Sequence, residues 1–116
     1  VTKDRFEQIL KARLEDLWLT NTTKSKQYAP GQDRMVHFKG VAEFDGITPE
    51  KALWDMAKKH MYAMKLLCLA IENGEPLPPA EVRNEIYRDN AFYPILLEGL
   101  IREREDLPAG TAGRIG

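Results

Sequence analysis

The stretch TPEKALWDMAKKHMYAMKLLCLAIENG, from Thr48 to Gly74, decides the fold. Its apolar residues Leu53, Met56, Ala57, Met61, Met64, Leu67, Cys68 and Ile71 recur at i, i+3 and i+4, the spacing of one helical face. Thr48 stands where its hydroxyl can cap the first turn, Pro49 suits the first helical position, and Glu50 meets the positive end of the dipole. Gly74 is placed to stop the helix. The pattern therefore predicts a helix over 49–72.

Downstream, the connector Asn73 to Pro78 is short enough to fold the next helical run back as an αα-hairpin. That run spans about 79–104, with Val82, Ile86, Tyr93, Leu96, Leu97, Leu100 and Ile101 on one face. Pro94 lies inside it and is expected to kink or split it. Upstream, Phe6, Ile9, Leu10, Leu14, Leu17 and Trp18 predict a helix over 3–19 with these residues as its buried stripe. The polar stretch Asn21 to Gln32 reads as a loop. Asp33 to Phe44 reads as a short helix capped by Asp33, with Val36, Val41 and Phe44 buried, and Asp45-Gly46 as the turn after it. No stretch alternates as a strand does. The expected class is all-α: a small bundle of three long helices and one short one, in a single domain over 1–106, followed by a flexible Gly- and Ala-rich tail over 107–116.

Composition narrows the function classes. The 116 residues are 43% hydrophobic and 30% charged, ordinary values for a globular chain. Seventeen basic residues face 18 acidic ones, a formal charge of −1, so nothing in the balance points to DNA, RNA or an anionic membrane. The longest clearly apolar stretch, Leu66 to Ile71, is far short of the roughly 20 residues that span a bilayer. The start of the chain lacks a basic-then-apolar leader pattern, and the expected location is the cytoplasm. One cysteine, Cys68, excludes a disulfide framework or a multi-thiolate zinc site; its place on the apolar face predicts plain core. Three long helices in so short a chain cover their stripes poorly, which predicts a homo-oligomer, completing a four-helix arrangement.

Helical phase singles out polar residues. At ~100° per residue, His60 falls about 20° from Leu53, and Asp89 about 20° from Val82, each in the middle of an apolar stripe. Glu85 lies at about 60° on the same helix as Asp89, and Arg13 falls near the centre of the first helix's stripe. The short hairpin connector sets His60 and Asp89 at a similar height. Unpaired buried charges are costly, so these groups are expected to pair or to face an open cleft. A satisfied polar core and a ligand or metal pocket between helices both meet that requirement. Elsewhere, Lys24-Ser-Lys26-Gln-Tyr28 offers two cations, a hydroxyl and an aromatic ring, which suits phosphate and base contacts. His37 and His60 lack metal-ligand spacing.

Taken in order, Lys26-Gln-Tyr28, Asp33, His37-Phe38, Gly46-Ile-Thr-Pro-Glu50, Lys59-His60 and Glu85-x-x-x-Asp89-x-x-x-Tyr93 resemble the small, often phage-encoded nucleotide-modification-associated domains of type one. Those domains are distantly similar to the MazG-like all-α nucleotide pyrophosphatases. The resemblance covers roughly residues 24–104. His37 and Phe92 stand where that pattern has asparagine. The resemblance implies a phage or prophage protein that binds or hydrolyses a nucleotide, modified or not, or another small phosphorylated ligand. Lys24, Lys26, Tyr28, Asp33, His37, Lys59 and Tyr93 are then its ligand-binding candidates, with His60, Glu85 and Asp89 as catalytic candidates. Glu85 and Asp89 are also the candidates for Mg²⁺, a hard cation that takes oxygen ligands. The four-carboxylate signature of MazG-like enzymes is not present, since Glu50 and Asp55 do not share a helix face. The alternatives are a non-catalytic helical binding module, sequestering a nucleotide or acting as an adaptor, and a small oligomeric assembly protein.

Overall fold

Thr48 caps its helix as its position predicts: its Oγ1 accepts a hydrogen bond from the Lys51 amide at 3.0 Å. In the computed structural model, which describes residues 1–28 and 31–107, the helix so begun is the third of four. They are α1 (Lys3–Tyr28), α2 (Val36–Asp45), α3 (Pro49–Glu72) and α4 (Ala80–Glu105). Among the described residues there is no strand, so the class is all-α. Gly46 (φ 69°) and Gly74 (φ 72°) take the left-handed conformation directly after α2 and close to the end of α3, where a side chain would be strained. No helix of the described residues is long and apolar enough to cross a membrane.

The chain forms two compact units, Val1–Arg34 and a second beginning at Met35. The first is built on α1, which departs from expectation in two ways. It runs on to Tyr28 rather than ending at Leu19, so the expected loop from Asn21 is helical for most of its length. The hydroxyls of Thr22 and Thr23 donate back to the carbonyls of Trp18 and Leu19 at 3.2 and 3.4 Å, so these polar residues are satisfied inside the helix. The next breaker in the sequence is Pro30. The expected buried stripe is also largely open: Leu17 is buried, while Phe6, Ile9, Leu10, Leu14 and Trp18 are exposed. Arg34 closes the unit, its Nε donating to Asn21 Oδ1 at 3.1 Å, and burial lowers the pKa of its guanidinium.

The second unit is α2 and the α3–α4 hairpin. Its core is Phe38, Leu53, Ala57, Leu96 and Leu100, with Met35, Met56, Phe92, Tyr93 and Leu97 packed against it. Phe38 and Ala42, one turn apart, are the buried face of α2. The expected phase was off by part of a turn, so Val36 and Phe44 are exposed and Val41 is only half-buried. Asp33 does not cap this helix: it begins after Met35, with no side-chain cap. Gly99 on α4 lets the Met35 methyl approach closely; a Cβ there would sit 2.7 Å from Met35 Cε.

The core is concentrated at one end of the hairpin. Towards the connector, Met61, Met64, Ile71 and Val82 are exposed. Cys68 is exposed too, against the expectation of a core thiol, because it lies on this uncovered part of the stripe. Pro94 does not split α4, which is continuous from Ala80 to Glu105. At the packed end, Arg104 grips Glu50 with two hydrogen bonds, Nη2 to Oε2 at 2.7 Å and Nε to Oε1. Lys39 Nζ reaches Glu103 Oε1 at 2.6 Å and ties α2 to α4. Of the expected tail, only Leu107 lies within the described residues.

Candidate functional site

His60 and Asp89 meet across the hairpin. His60 sits at the middle of α3 and Asp89 near the middle of α4, and Nδ1 of His60 lies 3.1 Å from Oδ2 of Asp89. Antiparallel helices joined by a short connector bring these levels together, as the phase of the two residues predicts. The pair is not sealed: 36% of the His60 side chain and 31% of the Asp89 side chain remain accessible. Water or a ligand therefore reaches both.

Tyr93, one turn beyond Asp89, lays its ring over the His60 imidazole, with centroids 5.0 Å apart and planes inclined by 26°. Asn90 completes the cluster. Its Nδ2 donates to the carbonyl of His60 at 2.9 Å and to the carbonyl of Ile86 on its own helix, also at 2.9 Å. A carbonyl oxygen has two lone pairs, so His60 accepts this bond beside its ordinary helical one. The amide thereby fixes the backbone of α3 at the histidine against α4. Asn90 was not among the sequence candidates. Its signal was available: at about 80° from Val82 it borders the apolar stripe, where a short polar side chain usually has a partner.

The other candidates are distributed. Glu85 is one turn before Asp89 on α4 and is exposed, and Lys59 is exposed beside His60. His37 is an exposed residue of α2 whose ring stands edge-on to Phe38 at 5.8 Å. Lys24 and Lys26 are exposed in the final turns of α1, Tyr28 is its last residue, and the half-buried Asp33 follows in the same unit. Arg13, in that unit too, donates from Nη1 to Asp16 Oδ2 at 2.9 Å. Thus His60, Asp89 and Tyr93 come together on the hairpin, with Glu85 and Lys59 as sequence neighbours at its surface.

The donor set sets the limits of the chemistry. Among the described residues, no three His, Cys, Asp or Glu side chains converge as a metal-holding group. Glu85 and Asp89 offer two carboxylates at most, one of them already engaged by His60. Glu50 is held by Arg104, which depresses the pKa of its carboxyl, and Asp55 by Lys51 and Lys58, with the same effect. A multi-carboxylate magnesium centre does not fit these residues. What the cluster does offer is a stacked pair of rings with a carboxylate at one edge.

Comparison with known proteins finds no matching family model, no matching curated relative and no matching solved structure.

Proposed function

We propose that the α3–α4 hairpin binds a nucleotide, or another small phosphorylated ligand, at the cluster of His60, Asp89 and Tyr93. The observation that supports this is the cluster's exposure. A polar core pair that served only packing would be expected to close off, whereas a third of each side chain stays open here. The His60–Tyr93 stack gives a flat π-surface on which a base can extend. Asp89 Oδ2 lies 3.1 Å from the imidazole Nδ1 and offers an acceptor in the same place. Lys59, next to His60 in the sequence, is the hairpin's candidate cation for phosphate. The resemblance to phage-encoded nucleotide-modification-associated and MazG-like domains points to the same ligand class, in a phage or prophage protein of the host cytoplasm. Binding is the activity proposed; Glu85 and Asp89 are the candidates for a Mg²⁺ ion brought in with the phosphates.

The test is a thermal-shift series on the full chain, with nucleosides, nucleoside mono-, di- and triphosphates and inorganic phosphate, each with and without Mg²⁺. A ligand that binds only the native state raises the melting temperature. Nucleotides should raise it by a few degrees, nucleosides and phosphate by less. Tyr93→Leu and Asp89→Asn should fold and lose most of that rise. A series in which no nucleotide shifts the wild-type curve at millimolar concentration overturns the reading, and so does a shift that both variants retain.

A further inference from the structure

Helix α1 carries a ridge of apolar side chains that its own unit leaves open. Phe6, Leu10, Leu14 and Trp18 are spaced four apart, and their exposures are 54%, 47%, 55% and 72%. Residues four apart form one continuous ridge along a helix, the kind that packs into the matching groove of another helix. Helices in proteins owe most of their stability to the packing of an apolar face, so leaving four large apolar side chains wet is costly.

The order of residues in the ridge is a palindrome: aromatic, leucine, leucine, aromatic. Its midpoint is Ala12. We propose that this ridge is the contact face of a homodimer, in which two copies of α1 cross antiparallel between Leu10 and Leu14, at the level of Ala12. A two-fold axis makes the same patch meet itself, so a self-complementary order is what such an axis requires. In this arrangement Phe6 meets the partner subunit's Trp18, and Leu10 meets the partner subunit's Leu14. Aromatic packs on aromatic and leucine on leucine, with no polar residue of the ridge left facing an apolar one. Two ridges of this spacing cross at about −50°.

The area is adequate. Four large side chains exposed by about half or more offer on the order of 500 Å² per copy, hence about 1,000 Å² in the pair, where specific interfaces begin. A parallel pairing of the same helices would set each residue against itself and put the two large tryptophans together at one end. The antiparallel register spreads the bulk evenly, which close packing favours.

The register has its own test. Leu10→Lys and Leu14→Glu each place two charges into the interface, so each variant alone should be monomeric, with dimer affinity weakened by at least about a hundredfold. Mixed in equal amounts, one copy's new lysine faces the other's new glutamate, and the remaining leucine pair is intact. The mixture should regain the dimer. Because both leucines are half-exposed in the single chain, both variants should keep the helical circular-dichroism spectrum. Phe6→Glu with Trp18→Lys repeats the logic at the outer pair. Light scattering on the full chain, up to about 100 μM, reads the mass at each step. A wild-type chain that stays monomeric overturns the proposal, as do single variants that remain dimeric. Two folded variant pairs whose mixtures both stay monomeric overturn it as well.

Discussion

His60 shows how far a single residue's position carries. Its phase put it on an apolar stripe, and a histidine there needs a partner or water. The structure supplies both, since Asp89 lies 3.1 Å away and the pair is about one-third open. That openness sets the magnitudes. Asp89→Ala should lower the unfolding free energy by about 1 kcal/mol, because solvent replaces part of the lost contact with His60. Asp89→Asn keeps an acceptor and the shape, and should stay within about 0.5 kcal/mol of wild type. Urea unfolding of the three proteins reads both values. A loss above roughly 3 kcal/mol in either variant would mean a buried, structural pair. Asn90 is the residue that phase alone did not single out. Its amide bond to the His60 carbonyl depends on how closely α3 and α4 approach, and no pattern within one helix encodes that distance.

At the scale of the element, the helices that pack on a core matched their sequence patterns best. The bounds of α3 agree with the signals from Thr48 to Gly74, and α4 begins and ends within a residue or so of its expected limits. The ion pair between Glu50 and Arg104 then joins the first turn of α3 to the last turn of α4. Each charge also sits at the helix end whose dipole it complements. The Arg104 hydrogen bonds hold the Glu50 carboxyl below its ordinary value of 4.5. A depressed carboxyl stabilises the fold above the unfolded-state value and loses that contribution as pH falls through the folded-state value. The melting temperature should therefore drop as pH falls below about 4.5, beyond the general acid loss, and Glu50→Gln should remove that part of the drop. At neutral pH the same substitution should cost about 1–2 kcal/mol. An identical acid profile in wild type and variant would show that the pair contributes nothing to the dependence.

Across the whole molecule, burial is uneven. The packed residues lie in the second unit, around Phe38, Leu53, Ala57, Leu96 and Leu100, while α1 buries Leu17 alone among its described side chains. Regions with few buried apolar contacts open at low free energy. Amide exchange should therefore be fastest along α1 in dilute solution and slowest around Leu53, Ala57, Leu96 and Leu100. If α1 pairs with a second copy, its protection should rise with protein concentration while that of the α3–α4 core does not. Uniform protection over all four helices in dilute solution would contradict the uneven burial.

The sequence by itself determined the helical class, the extents of α3 and α4, the caps at Thr48 and Gly74, and the meeting of His60 with Asp89. All of these rest on local periodicity, on backbone chemistry at helix ends and on one short connector, and each is written within a few tens of residues. The continuation of α1 to Tyr28 was legible only in part, since threonines and serines are common in loops yet bond back to carbonyls inside helices when no breaker follows. Which face of α2 turns inward, that Cys68 stays at the surface, and that the α1 stripe remains open within its unit were decided by the tertiary structure. An apolar stripe states that burial is favourable; it does not state what covers it. That depends on how many helices are near and where they run, and in so small a chain there is too little surface to cover every stripe.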